Sequence, residues 1–243
     1  MEPKVNMVQY VLECKPLHYE GDAYHYQLKR SQFYVNGKKL TKQLDVLAEK
    51  CAEILYPLIL EVTFSGLILR IVNFEEIQHR WEVLLPKLKN AYKGEVAETY
   101  MNNISANILE ANTLMEKLKR DVLYSLLVPR LFALGEPSLT KSECNFVLPH
   151  YLYKKGILFK GTQEIGKYVD KNGHITVSYK GTANESDSLY KDKVLNGELT
   201  MQYLLDNETT SMIHFRGLCE FDNPSHNKIE YRITRLKELE LTK

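Results

Sequence analysis

Between Leu60 and Trp81 the apolar spacing of the chain changes from every second residue to every third and fourth. Leu60, Val62 and Phe64 alternate with Glu61 and Thr63, Ser65-Gly66 makes a tight turn, and Leu67, Leu69 and Ile71 carry a return strand. Successive strand side chains point to opposite faces, so this alternation marks a half-buried hairpin. From Asn73 the spacing becomes helical, with Phe74, Ile77, Trp81, Leu84, Leu85 and Leu88 on one stripe. Asn73 is expected to cap that helix through its side-chain oxygen, with Glu76 three residues on completing an approximate capping box. Pro86 has no N–H for the carbonyl of Glu82, which predicts a kink there or a break just before it. A chain that makes this switch must set a helical layer beside a sheet.

The same two periods organise the rest. Val8, Tyr10, Leu12 and Cys14 alternate, the "YEGD" turn follows, and Tyr24, Tyr26 and Leu28 share a face of the next strand. Asn36-Gly37 is a strong turn signal. Leu44, Leu47, Cys51 and Leu55 predict a helix over 42–55, closed by Pro57. After Gly94 come Ala97, Met101, Ile104, Ile108, Ala111, Met115, Leu118 and Val122, spaced alternately four and three. That is a heptad seam, on a helix of about 39 Å if unbroken. Asn102, Asn103, Asn107 and Asn112 are poor helix formers, so the segment must lean on tertiary packing. Asp121 is placed to cap a further helix through Leu126, Leu127 and Leu131, and Gly135 and Pro137 end the helical block.

From Asn145 strands return. "ILFKGTQEIGKYV" and "HITVSYKG" flank the turn Lys171-Asn172-Gly173, and "LTMQYLL" and "SMIHFRGLCEF" flank Asp206-Asn207. Ile213, Phe215, Cys219 and Phe221 share one face, as do Ile229, Tyr231 and Ile233 in the last strand. Short hairpin connections imply antiparallel pairing. The expected fold is α+β, an antiparallel β-sheet or partly closed barrel with a central helical layer or insertion. One domain is expected over residues 1–243, with N-terminal strands and one helix in 1–72, helices in 73–136 and antiparallel strands in 144–236.

With 32 basic against 31 acidic side chains, the surface has no overall charge with which to seek nucleic acid. No apolar run approaches the ~20 residues of a membrane span. The N-terminus "MEPKVNMVQYVLEC" lacks a signal peptide's charged and apolar regions, so a cytoplasmic location is expected. Cys14, Cys51, Cys144 and Cys219 form no CxxC pair and are expected as free, core-type thiols. The sixteen tyrosines, many at alternating strand positions, suit half-buried pleated surfaces.

Four stretches resemble chemical sites. "GTQEIGKY" at 161–168 falls short of a phosphate-binding loop, because Tyr168 stands where a Ser or Thr should hold Mg²⁺ and a hairpin follows instead of a helix. "DKNG" at 170–173 lacks the acidic ladder of a calcium loop and reads as a turn. Glu76 and His79 have the i,i+3 spacing of di-iron bundles, but no second such pair occurs, and His79 falls off the apolar stripe. "HYEGDAYH" gathers His18, Glu20, Asp22 and His25, types that hold zinc or iron. Glu20-Gly21-Asp22 is also ordinary hairpin sequence, and His25 is expected to point away from the others. No metal, cofactor or catalytic residue is assigned on sequence.

"LYPLILEV", "SGLILRIVNFEEIQHRW" and "YKGE", spanning about Leu55 to Glu95, together resemble small uncharacterised proteins of Bacteroidota. The resemblance brings no activity and no site residues. The expected function is therefore a non-catalytic binding or interaction protein, an accessory or adaptor of a bacterial cell in a secretion or toxin-immunity system. Its expected contact surface, for a protein partner or a second copy, is the seam Met101, Ile104, Ile108, Met115 and Leu118. The alternatives are a carrier of a hydrophobic or aromatic small ligand between sheet and helices, and a hydrolase with a dispersed site.

Overall fold

The structure is a computed structural model that describes residues 6–63, 66–127, 140–150, 153–183, 196–209, 211–222 and 226–236. It is an α+β fold with two antiparallel sheets, and the described residues form no closed barrel. Where the sequence suggests one domain, contacts divide the chain into two compact units, Met1–Tyr124 and Ser125–Lys243.

The first unit begins with the hairpin β1 (Val8–Glu20) and β2 (Ala23–Val35), then α1 (Gln43–Glu53), β3 (Leu58–Thr63) and β4 (Ile68–Ile71). The strands lie in the order β1-β2-β3-β4. Asn36 and Gly37 both take positive φ, as a two-residue type I′ turn demands. Leu28, Leu58, Leu60, Val62, Ile68 and Ile71 bury one face of this sheet. Leu69 departs from the expected alternation and is exposed. A bulge accounts for it: Glu61 pairs with Arg70 but Val62 pairs with Ile68, which leaves Leu69 without a partner in the ladder.

Helix α2 (Phe74–Ala91) runs unbroken through Pro86 and buries Ile77, Trp81 and Leu88. Glu82, whose carbonyl Pro86 leaves unpaired, is on the exposed side of the helix. Asn73 occupies the N-cap position, yet its side chain makes no cap hydrogen bond. Its Oδ1 accepts from the Ile59 N–H at 2.8 Å and its Nδ2 donates to the Pro57 carbonyl at 2.7 Å. The amide mimics a strand residue and ties β3 to the start of α2. Arg80 donates Nε to the Ile54 carbonyl at 2.8 Å and Nη2 to that of Pro57 at 3.1 Å, which serves the orphan carbonyls after α1.

The expected long helix is broken in two, α3 (Glu95–Ile108) and α4 (Ala111–Lys119), and the further helix follows as α5 (Val122–Leu127). Gln78 of α2 donates to the carbonyls of Ile108 and Leu109 at 3.1 and 3.2 Å, so α3 ends where a neighbour takes over its last acceptors. Asp121 does start α5, with Oδ1 accepting from the Leu123 N–H at 2.8 Å. Leu131, Gly135 and Pro137, the expected end of the block, lie outside the described residues.

In the second unit β5 (Lys141–His150), β6 (Tyr153–Ile165), β7 (His174–Ala183), β8 (Asn196–Asp206), β9 (Met212–Asp222) and β10 (His226–Thr234) pair in chain order as an antiparallel meander. Phe146, Phe159, Tyr179, Tyr203, Phe215 and Phe221 supply large rings to its buried face. Gly181 is required there, because a Cβ would fall 2.3 Å from the hydroxyl of Tyr179, whose ring lies across it. That hydroxyl donates to the Phe159 carbonyl at 3.0 Å, giving a buried polar group its partner.

Candidate metal centre

The β1–β2 hairpin turns through Gly21 and Asp22, with Gly21 at φ +57°. From a two-residue turn the pairing is forced: Glu20 faces Ala23, Tyr19 faces Tyr24 and His18 faces His25. Side chains alternate along a strand, so His18, Glu20 and His25 come to one side of the sheet while Tyr24 and Tyr26 go to the other. Below this tip the register shifts. Pro16 pairs with Tyr26, and Leu17 is the extra residue of a bulge. The expectation that His25 points away from the others is overturned; Asp22 is the one that stays in the turn.

The two imidazole rings lie 4.2 Å apart between centroids, tilted by 42°. One donor atom from each of His18, Glu20 and His25 falls within 4.8 Å of the others. Ligands at ~2.1 Å from one ion span at most ~4.2 Å, so a small rotation of the side chains closes the set. His18 and Glu20 are exposed and free to make it, whereas His25 is only 4% exposed and fixes the site. Among the described residues neither ring nitrogen of His25 has a hydrogen-bond partner. Buried imidazole nitrogens without hydrogen-bond partners are costly, and one of those of His25 lies within 4.8 Å of the two other ligating groups.

The row continues across the sheet. His25 pairs directly with Glu61 of β3, and Glu61 with Arg70 of β4. Glu61 Oε2 lies 3.9 Å from His25 Nε2 and accepts a hydrogen bond from Arg70 Nε. Glu61 holds the Arg70 guanidinium above its ordinary pKa, with Glu20 acting in the same direction more weakly. Two imidazoles and a carboxylate form a donor set suited to zinc and other first-row divalent ions, and they leave coordination positions open.

The other sequence candidates lie elsewhere. His79 is 76% exposed on its side chain and sits 3.9 Å from Glu82, while Glu76 reaches Arg80, so the expected Glu76 and His79 ligand pair is not assembled. "GTQEIGKY" ends β6 and enters a loop leading to β7, with no helix beside it. Asp170 folds the "DKNG" turn by accepting from the N–H groups of Asn172 and His174. In the seam Met101, Ile108, Met115 and Leu118 are buried in the chain and Ile104 is partly so, which turns the expected contact surface inward. Cys51, Cys144 and Cys219 are buried free thiols as expected, but Cys14 is exposed.

No protein-family model, curated protein or solved structure matches the chain.

Proposed function

We propose that the protein is a non-catalytic binding protein for a divalent transition-metal ion, taken up at the tip of the β1–β2 hairpin by His18, Glu20 and His25. The observation that carries this reading is the buried His25, both nitrogens without a hydrogen-bond partner among the described residues, beside two exposed ligating groups at reachable distance. An accessory role fits a site placed on an exposed hairpin end. The two surface hollows described, one along Asn112, Glu116 and Arg120 and one beside Tyr10 and Gln32, are open grooves away from this tip.

Titration of the full chain with Zn²⁺ under calorimetry tests the reading. One ion per chain is expected, with binding lost in His18→Ala and in His25→Ala. His25→Leu keeps the buried volume and serves as a folded, non-ligating control. A well-folded wild-type chain that takes up no Zn²⁺ rejects the proposal.

Hydrolysis is the second reading, carried by the open positions that three protein ligands leave for a metal-bound water. Zn²⁺-loaded protein should then cleave activated esters faster than Zn²⁺ alone, and an equal rate rejects this reading while leaving binding intact.

A further inference from the structure

Four side chains stand in one register row across four strands: His18, His25, Glu61 and Arg70. The first two belong to the metal site proposed above, and this inference rests on that reading. We infer that Glu61 is a further ligand for the same ion and that Arg70 holds it in reserve, so that the guanidinium and the metal compete for one carboxylate.

Geometry supplies the first argument. Glu61 Oε2 lies 3.9 Å from His25 Nε2, close enough that rotation of the side chain brings it to an ion held by that nitrogen. The same oxygen is the one bonded to Arg70 Nε, so turning Glu61 toward the ion draws it away from that bond and sets the two engagements in competition. Exposure supplies the second. Glu61 is 17% exposed and stays at the site, whereas Arg70 is 62% exposed and swings into water at little cost. Water screens the ion pair on the Arg70 side, so it opposes the exchange only weakly. Charge supplies the third. A single arginine neutralises Glu61 and is felt by Glu20. A divalent cation placed between these two carboxylates and the two imidazoles balances both charges where Arg70 balances one.

Arg70 is therefore a positioning residue that acts through Glu61. It presets the carboxylate beside His25 and weakens the site for cations that cannot displace it.

Zn²⁺ titration of the full chain as wild type, Glu61→Gln, Arg70→Gln and the double variant tests this, with the Zn²⁺-induced rise in Tm as a second readout. Glu61→Gln should weaken binding about tenfold, the scale on which supporting groups of metal sites act. Arg70→Gln should tighten it severalfold. In the double variant the gain from removing Arg70 should vanish, because the carboxylate it restrained is gone. If Arg70→Gln tightens binding equally with and without Glu61, Arg70 acts only as a distant charge and the inference fails. Unchanged affinity in Glu61→Gln also overturns it. In both cases Zn²⁺ uptake by the wild type leaves the three-ligand site standing. Absence of uptake by the wild type removes the site itself, and the inference with it.

Discussion

Gln78 reaches across from α2 to the carbonyl of Ile108 at 3.1 Å, thirty residues further along the chain. That bond, with its companion to Leu109, serves carbonyls that the end of α3 leaves without an intrahelical partner. Gln78→Ala should cost about 1 kcal/mol, the net worth of a typical hydrogen bond, read as a lower urea midpoint. An unchanged midpoint would show that water serves the end of α3 equally well.

Asn73 gives a sharper test, because two roles predict opposite outcomes. Asn73→Ala strips partners from the Ile59 N–H and the Pro57 carbonyl and should cost about 2–3 kcal/mol. Asn73→Asp should not restore that stability, since it loses the donor and sets a carboxylate against the Pro57 carbonyl. A plain N-cap would accept Asp as readily as Asn. Thermal unfolding of the two variants decides, and full rescue by Asp would disprove the strand-mimic role.

Arg30 of β2 carries its charge into a largely enclosed site. Its guanidinium lies 5.1 to 5.9 Å from the ring centroids of Phe33, Tyr56 and Tyr10 and bonds Glu49 of α1 at 3.0 Å. Lysine keeps the charge but loses the planar stacking surface, so Arg30→Lys should cost about 1–2 kcal/mol. Equal denaturation midpoints for wild type and variant would mean that charge alone suffices.

Acid should weaken the second unit through its turns. Asp170 is held below its ordinary value of 3.8, first by the His174 N–H, and Asp206 is held low mainly by the Thr209 N–H and hydroxyl. A carboxyl whose folded pKa is depressed adds stability above its unfolded value and loses it as pH falls through the folded one. Stability should therefore decline below about pH 4, and Asp170→Asn should flatten part of that decline. Melting curves between pH 2 and pH 6 check this, and identical slopes for wild type and variant would count against it.

Much of the fold was legible because it is written locally. The Asn36-Gly37 turn, the shared face of Tyr24, Tyr26 and Leu28, and the cap at Asp121 all depend on neighbours within a few residues. What escaped depends on distant partners or on irregular register. Gln78 of another helix serves the carbonyls where the heptad seam breaks, the bulge opposite Glu61 exposed Leu69, and Asn73 spent its amide on β3. The candidate metal centre divides along the same line. Counting outward from the Gly21-Asp22 turn already pairs His18 with His25, a signal present in the sequence and passed over. Glu61 and Arg70 join them only through sheet pairing that no local pattern announces.

The bulge at Leu17 has a consequence for how this hairpin can change over evolution. It lets the tip keep one register while the strand from Pro16 back keeps another. Insertion of a single residue in the turn would re-aim His18 to the opposite face, yet Cys14 opposite Leu28 could hold its place with the slip absorbed at the bulge. The bulge thus uncouples the register of the tip from that of the strands beneath it, so a slip at the turn need not pass Leu17.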